Sequence, residues 1–324
     1  MHEPLRGFSA PTLGGGRLWG RKVLMRQLTT TCVLWCLMAA TGFARDIYVD
    51  NTLGDDRYDG TAAALIGNAV GPYRTITRAL KAAVKGDRII VANTGQPYRE
   101  SITLQGGRHS GIVPERGGAV AYFELIGNDA VLDGTSRVPA EGWSHFAGAV
   151  FRYRPPKMSF QVLYLDGKPA SQRLVTDERR LPELQPLEWC LLDGYIYFRV
   201  EPNRLPQSYE LAYAGLDVGI TLYEVRHVKI RNLVVQGFQL DGVNAHDGAV
   251  GAELIGLNCR GNGRSGISVG GASRVRIEAC QVENNGAAQV RTEGFSRTQL
   301  VGCNLVDATA PKIVSDGGVV DVKD

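Results

Sequence analysis

The chain has 324 residues, 44% of them hydrophobic and 21% charged, with a mean hydropathy of −0.11, which excludes wholesale disorder and a polytopic membrane protein. Its net charge of +3 originates in the first 44 residues, where Arg6, Arg17, Arg21, Lys22 and Arg26 face Glu3 alone, leaving 31 basic against 32 acidic side chains in residues 45–324. No run of Lys and Arg interleaved with aromatics follows, so nucleic acid is not an expected partner.

In chain order, residues 1–44 read as a leader and signal peptide. Arg21, Lys22 and Arg26 precede an apolar stretch from Leu28 to Ala40, and Gly42-Phe43-Ala44 puts small residues at the −3 and −1 positions of a cleavage after Ala44. The stretch is too short to span a bilayer, and Met25 is an alternative start. The expectation is a secreted or periplasmic monomer, with no membrane span in the mature chain and no lipid anchor at Cys32 or Cys36. Cys190, Cys259, Cys280 and Cys303 form no CxxC pair and no metal-spaced cluster, which argues against structural zinc.

Residues 45–139 read as an N-terminal cap and the first coils of a stack. Thr75-Ile-Thr-Arg-Ala-Leu-Lys-Ala-Ala-Val is an amphipathic helix with Ile76, Ala79, Leu80 and Ala83 on one face, Thr75 as N-cap and Gly86 as its stop. Such a helix would cover the open first coil. Ahead of it, Asp55, Asp56 and Asp59 before Gly60 are candidate Ca²⁺ ligands, though not at EF-hand spacing; the alternative is an Asp-rich turn. Residues 140–216 lose all period. Two Asp-Gly pairs, Asp166-Gly167 and Asp193-Gly194, sit between β-rich runs and predict hairpins, hence a small antiparallel β insertion. Trp143, Trp189, Tyr195 and Tyr197 would be its core or sugar-stacking platforms.

Residues 217–324 repeat. Ile230, Leu254, Ile277 and Leu300 fall in one column at steps of 24, 23 and 23, as do Val243, Ile267, Val290 and Ile313, each of the latter followed by Gly248, Gly271, Gly294 or Gly317. A period of this size means a stacked array, and short alternating β segments without a helical stripe make each unit one coil of a parallel β-helix. Cys280 and Cys303 should stack in this array as two buried free thiols, because in-register strands aim both the same way.

Asp46-Ile-Tyr-Val-Asp-Asn-Thr-Leu-Gly-Asp-Asp-Arg-Tyr-Asp-Gly-Thr, Gly71-Pro-Tyr-Arg-Thr-Ile-Thr-Arg-Ala-Leu, Gly86-Asp-Arg-Ile-Ile-Val and Tyr98-Arg-Glu then follow in order. This succession resembles the opening segment of secreted right-handed parallel β-helix proteins of the pectate-lyase-like superfamily. With the coils, the resemblance covers nearly all of residues 46–318. It implies an all-β, right-handed parallel β-helix in the bacterial subset whose early coils are interrupted by a β insertion, a group that includes polysaccharide lyases and glycoside hydrolases. The same fold also hosts adhesins and proteins without catalysis, and no catalytic signature carries over residue by residue.

Candidate chemistry therefore rests on the outward columns. Alternation sends Asn244, Ser268, Arg291 and Val314 outward, and with them His246, Gly270, Glu293 and Asp316. Glu293 and Asp316 would oppose each other on adjacent rungs beside Arg291, a pairing that general acids and cation sites exploit; the alternative is that both merely close strands at polar turns. Arg291, Glu293 and Asp316 are the catalytic candidates, Asn244 and His246 the substrate-binding ones. The column Lys229, Glu253, Arg276, Gln299 alternates in sign and needs no function. The resulting expectation is a lyase or hydrolase acting on an extracellular polysaccharide, against a non-catalytic glycan-binding or structural module.

Overall fold

The computed structural model describes residues 44–157 and 160–323, so the leader, apart from Ala44, lies outside the described residues. From Ile220 onward the chain passes repeatedly through three sheets. One complete coil runs Asp241–Ala245, Val250–Ile255, Asn258–Arg260, and the next begins at Ser265–Val269. Stacking between these coils is parallel, with one register shift between Val250 and Ala252. The strands beginning each coil form a six-stranded sheet, Ile102–Gln105, Ile220–Tyr223, Asp241–Ala245, Ser265–Val269, Ala288–Glu293 and Ile313–Asp316. The second passes form a broad sheet from Asp46–Val49 to Val319–Lys323, and the third passes a narrow sheet branching from it.

The predicted columns are the core. Ile47, Ile89, Leu125, Ile230, Leu254, Ile277 and Leu300 are paired rung to rung and buried. Val243, Ile267 and Val290 do the same on the six-stranded sheet. Turning the chain sharply three times per coil requires left-handed backbone at the corners. Gly248, Gly271, Gly294 and Gly317 provide it at one corner, Asn232, Gly256, Ala279 and Gly302 at another, all at positive φ. The glycine richness is thus spent at corners.

Outside the broad sheet, the alternating column is longer than the repeat alone suggests. It runs Asp46, Arg88, Glu124, Lys229, Glu253, Arg276, Gln299, Asp321 in continuous register. Arg88 reaches Asp46 at 2.7 Å and Lys229 reaches Glu253 at 3.2 Å. Cross-strand pairs of opposite charge hold adjacent rungs together.

The helix forms at Ile76–Ala82, with the Thr75 side chain accepting a hydrogen bond from the Arg78 amide. Glu100 accepts from the Ile76 and Thr77 amides, and Ile76, Ala79, Leu80 and Ala83 join the core over the first coil. No helix among the described residues is long and apolar enough to cross a membrane.

Two small sheets make the insertion. Asp166-Gly167 and Asp193-Gly194 both have positive φ, the type I′ geometry that suits tight hairpins; they join Leu163–Leu165 to Lys168–Pro169 and Glu188–Leu192 to Tyr195–Arg199. The strand Thr135–Arg137 pairs with Leu211–Ala214, so the insertion begins before the boundary at 140 that the loss of period suggests. Trp189 and Tyr197 are buried, while Trp143 and Tyr195 pack at the margins of the insertion core. Cys190, Cys259, Cys280 and Cys303 are free thiols. The adjacent Cys303 thiol and burial push the Cys280 thiol up; both are free thiols as expected, but only Cys280 is buried, Cys303 being half-buried.

Candidate functional site

On the six-stranded sheet, inward Val243, Ile267 and Val290 leave two outward columns. Continuing the register past Leu222↔Ala245 and Val269↔Thr292 gives Gln105, Tyr223, His246, Gly270, Glu293, Asp316, and beside it Thr103, Thr221, Asn244, Ser268, Arg291, Val314. The sequence-derived site residues Asn244, His246, Arg291, Glu293 and Asp316 therefore do share one face. His246 and Asp316 are exposed, Asn244, Arg291 and Glu293 half-buried.

Two features differ from the expectation. Arg291 is not a bystander to two opposed carboxylates: its Nε donates to Glu293 Oε1 and its Nη2 to Asp316 Oδ2. The guanidinium relieves the repulsion that adjacent rungs would otherwise impose. Ser268 points outward yet is only 2% exposed, so outward position does not mean solvent here.

At the centre stands Gly270. A Cβ there would lie 3.8 Å from His246 Nδ1 and 3.9 Å from Glu293 Oε2, and no other heavy atom beyond its chain neighbours comes within 4 Å among the described residues. An imidazole and a carboxylate thus converge on one open point over a bare backbone. Both distances exceed hydrogen-bonding reach, so a water molecule or sugar hydroxyl that exchanges protons with both groups would have to stand off this point, between Nδ1 and Oε2.

Sequence reasoning missed three contributors. Tyr223, 38% exposed, adds an aromatic face next to His246; it precedes the regular repeat, so no column pointed to it. Asp241, fully buried, accepts from Arg264 Nε at 3.0 Å and from Arg264 Nη2 and Ser265 Oγ. Arg264 is held charged chiefly by Asp241 and also by the field of Glu293, which joins this buried pair to the site. The signal available was an Asp and an Arg 23 residues apart, at a corner where apolar columns are silent.

The Asp-rich turn does not fit a Ca²⁺ site. Asp55 is clasped by Arg57 at 2.6 and 2.9 Å, which holds its carboxyl far below the usual range. Asp56 accepts from the Arg74 and Thr75 amides and the Thr75 hydroxyl. Asp59 accepts from the Thr61 amide and hydroxyl, and the amide in particular lowers its pKa. Each carboxylate is spent on its own loop. Among the described residues no three His, Cys, Asp or Glu side chains converge on a metal position.

Residues 214–321 match the family model described as the right handed beta helix region. The stack is a right-handed parallel β-helix. No curated protein matches the chain. Among solved structures this β-helix is similar to one described as a glycoside hydrolase, at 12% identity and a TM-score of 0.50 over 80% of this chain and 74% of that one. It is also similar to XylC in complex with xylose, at 14% identity and a TM-score of 0.40 over 85% and 68%. A third likeness is to a rhamnogalacturonan lyase, at 10% identity and a TM-score of 0.26 over 87% and 63%. At such identities the likeness is one of fold.

Proposed function

We propose that this β-helix protein is an exported glycoside hydrolase acting on a neutral polysaccharide, with the six-stranded sheet as its working face. The observation that carries the reading is the open point over Gly270 between His246 Nδ1 and Glu293 Oε2. Hydrolysis of a glycosidic bond needs one group to protonate the leaving oxygen and another to activate water or stabilise the sugar cation. Glu293, ion-paired to Arg291, would take the second role, and His246 would supply the proton. Asp316 positions Arg291 from the last rung of the sheet. Tyr223 and Asn244 would hold the sugar, by its apolar face and its hydroxyls.

The fold likeness to a structure described as a glycoside hydrolase is compatible with this, as is the leader sequence with export. Elimination at a uronate is the less favoured chemistry, because both guanidinium groups beside the site are already committed, Arg291 to Glu293 and Asp316, Arg264 to Asp241. An acidic sugar would have to displace one of them.

Purified protein incubated with neutral and uronate-containing polysaccharides separates these readings. New reducing ends from a neutral polymer are expected, and unsaturated ends from a uronate polymer would favour the lyase. Glu293→Gln should abolish turnover and Asp316→Asn reduce it. Both should change stability by no more than about 1 kcal/mol, since the ion pairs lie on the outer face and are only half-buried. Full activity in both variants would remove the site assignment.

A further inference from the structure

A cleft of 570 Å³ opens on the outside of the broad sheet, and its charged lining is Glu253, Arg274, Arg276, Arg297 and Asp321. Three of these have partners of opposite charge: Glu253 is taken by Lys229 at 3.2 Å, Arg276 by Glu278 at 2.8 Å and Asp321 by Lys323 at 3.5 Å. Arg274 and Arg297 belong to no ion pair among the described residues. Both are exposed, and they oppose each other on successive rungs, about 4.8 Å apart along the stack. The column that holds them runs Arg226, Val250, Arg274, Arg297, Val319. It has cations and no acid, whereas the column beside it alternates in sign. Arg274 is also held in place, because its Nη1 donates to the carbonyls of Ala272, Ser273 and Phe295 at 2.8, 3.0 and 3.1 Å. Its Nε and Nη2, and the Arg297 guanidinium, remain without a hydrogen-bond partner among the described residues.

Like charges on opposed rungs destabilise a sheet, and no acid offsets this pair as Arg291 offsets Glu293 and Asp316 on the six-stranded face. An oxyanion between the two guanidinium groups supplies the missing charge, and the guanidinium fork matches the paired oxygens of a carboxylate or sulfate. Since Arg274 is already fixed, little side-chain freedom is lost when the anion arrives. We infer that Arg274 and Arg297 bind an oxyanion carried on a polysaccharide, a uronate carboxylate or a sulfate ester, on a different sheet from His246 and Glu293. Residues 45–324 carry 31 basic and 32 acidic side chains, so a nucleic acid finds no general attraction here. The choice of a polysaccharide as carrier rests on the carbohydrate reading above; the charge of the ligand does not. Because the carboxylates of the cleft are already paired, the anion is held there rather than transformed. The site tethers the protein to an acidic polymer while the six-stranded face works on a neutral one.

The test is isothermal titration calorimetry on the full chain at low ionic strength, with trigalacturonate and dextran sulfate as the carboxylate and sulfate probes and a short DNA duplex as the phosphate control. At least one of the two glycans is expected to bind, with an affinity that falls as salt is added. Arg297→Gln should weaken that binding about five- to tenfold. It should leave turnover of a neutral polymer unchanged and the melting temperature unchanged or slightly raised, because it removes a repulsion. Arg297→Glu should abolish binding and raise the melting temperature, since the new carboxylate would pair with Arg274 across the rung; an arginine with a merely structural role would lose stability in both variants. If neither glycan binds, or if both variants bind as the parent does, the anion site is refuted, whatever the protein does to neutral polymers. Binding lost in Glu293→Gln but kept in the Arg297 variants would put the anion on the working face and also refutes it. Tighter binding of the duplex than of either glycan refutes the polysaccharide as carrier.

Discussion

Gly270→Ala is the most direct probe of the site, because it adds one methyl group at the point on which His246 and Glu293 converge and alters neither of them. The contacts it would make, 3.8 Å to Nδ1 and 3.9 Å to Oε2, are ordinary van der Waals distances, so nothing has to move. The backbone there is outside the left-handed region, so Ala is unstrained. Replacing a glycine just past a strand end by alanine under those conditions stabilises by about 0.5–1 kcal/mol, mostly through the unfolded chain. For a domain of this size that is roughly 1–2 °C in melting temperature. Catalysis should move the other way. The methyl excludes any water or hydroxyl bridging the imidazole and the carboxylate, and loss of a positioned proton transfer lowers rates by about 10²–10⁴-fold. Gly271→Ala is the control: φ is +58° there and a Cβ would stand 2.4 Å from Asp247 Oδ1, so it should destabilise by about 1–2 kcal/mol. Calorimetry and reducing-sugar release read the two quantities separately. A Gly270→Ala protein that is more stable and fully active would refute the proton-relay geometry.

Three further outcomes test the frame that carries the site. Ile277→Asp, at a fully buried rung of the broad sheet, should cost several kcal/mol, on the order of 3–5, and abolish folding; Ser268→Asp, outward but 2% exposed, should also cost stability, whereas Ser268→Ala should be tolerated in a urea titration. Glu253→Lys would line up three cations with Lys229 and Arg276 and should lose about 1 kcal/mol at low ionic strength, partly recovered by salt. His109 is buried, with Nε2 on the Leu80 carbonyl and Nδ1 accepting from the Gln105 amide, and burial lowers its pKa from 6.5. Because the folded state disfavours the imidazolium, its contribution is complete above pH 6.5 and is lost as pH falls below that value toward the lowered folded pKa; melting curves should slope downward there, and His109→Gln should flatten the slope.

How much of this was legible in the sequence depends on what each feature requires. The columns Ile230 to Leu300 and Val243 to Ile313 were legible because a stack buries the same position on every coil, and identical environments select similar residues. The hairpins at Asp166-Gly167 and Asp193-Gly194 were legible because positive φ at two successive residues admits few side chains. The early segments around Asp46, Arg88 and Glu124 were legible as first coils but their register was not, since unequal loops separate them and only the backbone pairing restores it. Nor could alternation alone fix side-chain direction within a face. It placed Arg291 beside Glu293 and Asp316, but a guanidinium on a long flexible stem can reach two rungs, and only the folded geometry shows that it does.

The contrast between the two outer faces bears on function more than either face alone. On the broad sheet, the order of charges follows from pairing: anion, cation, anion, cation, each rung favouring its neighbours. On the six-stranded sheet, the column Tyr223, His246, Gly270, Glu293, Asp316 has no such logic. It interrupts a strand face with a glycine that packs nothing, and it sets two carboxylates on successive rungs, which pairing alone disfavours. Arg291 then has to be drawn from the adjacent column to hold them together. Folding does not ask for that arrangement, since the sign-alternating ladder on the neighbouring face stacks the same coils at the same spacing without it. A column that departs from what its own sheet would select is where selection for chemistry is expected to show, and Gly270 is the residue at which that departure is most open to experiment.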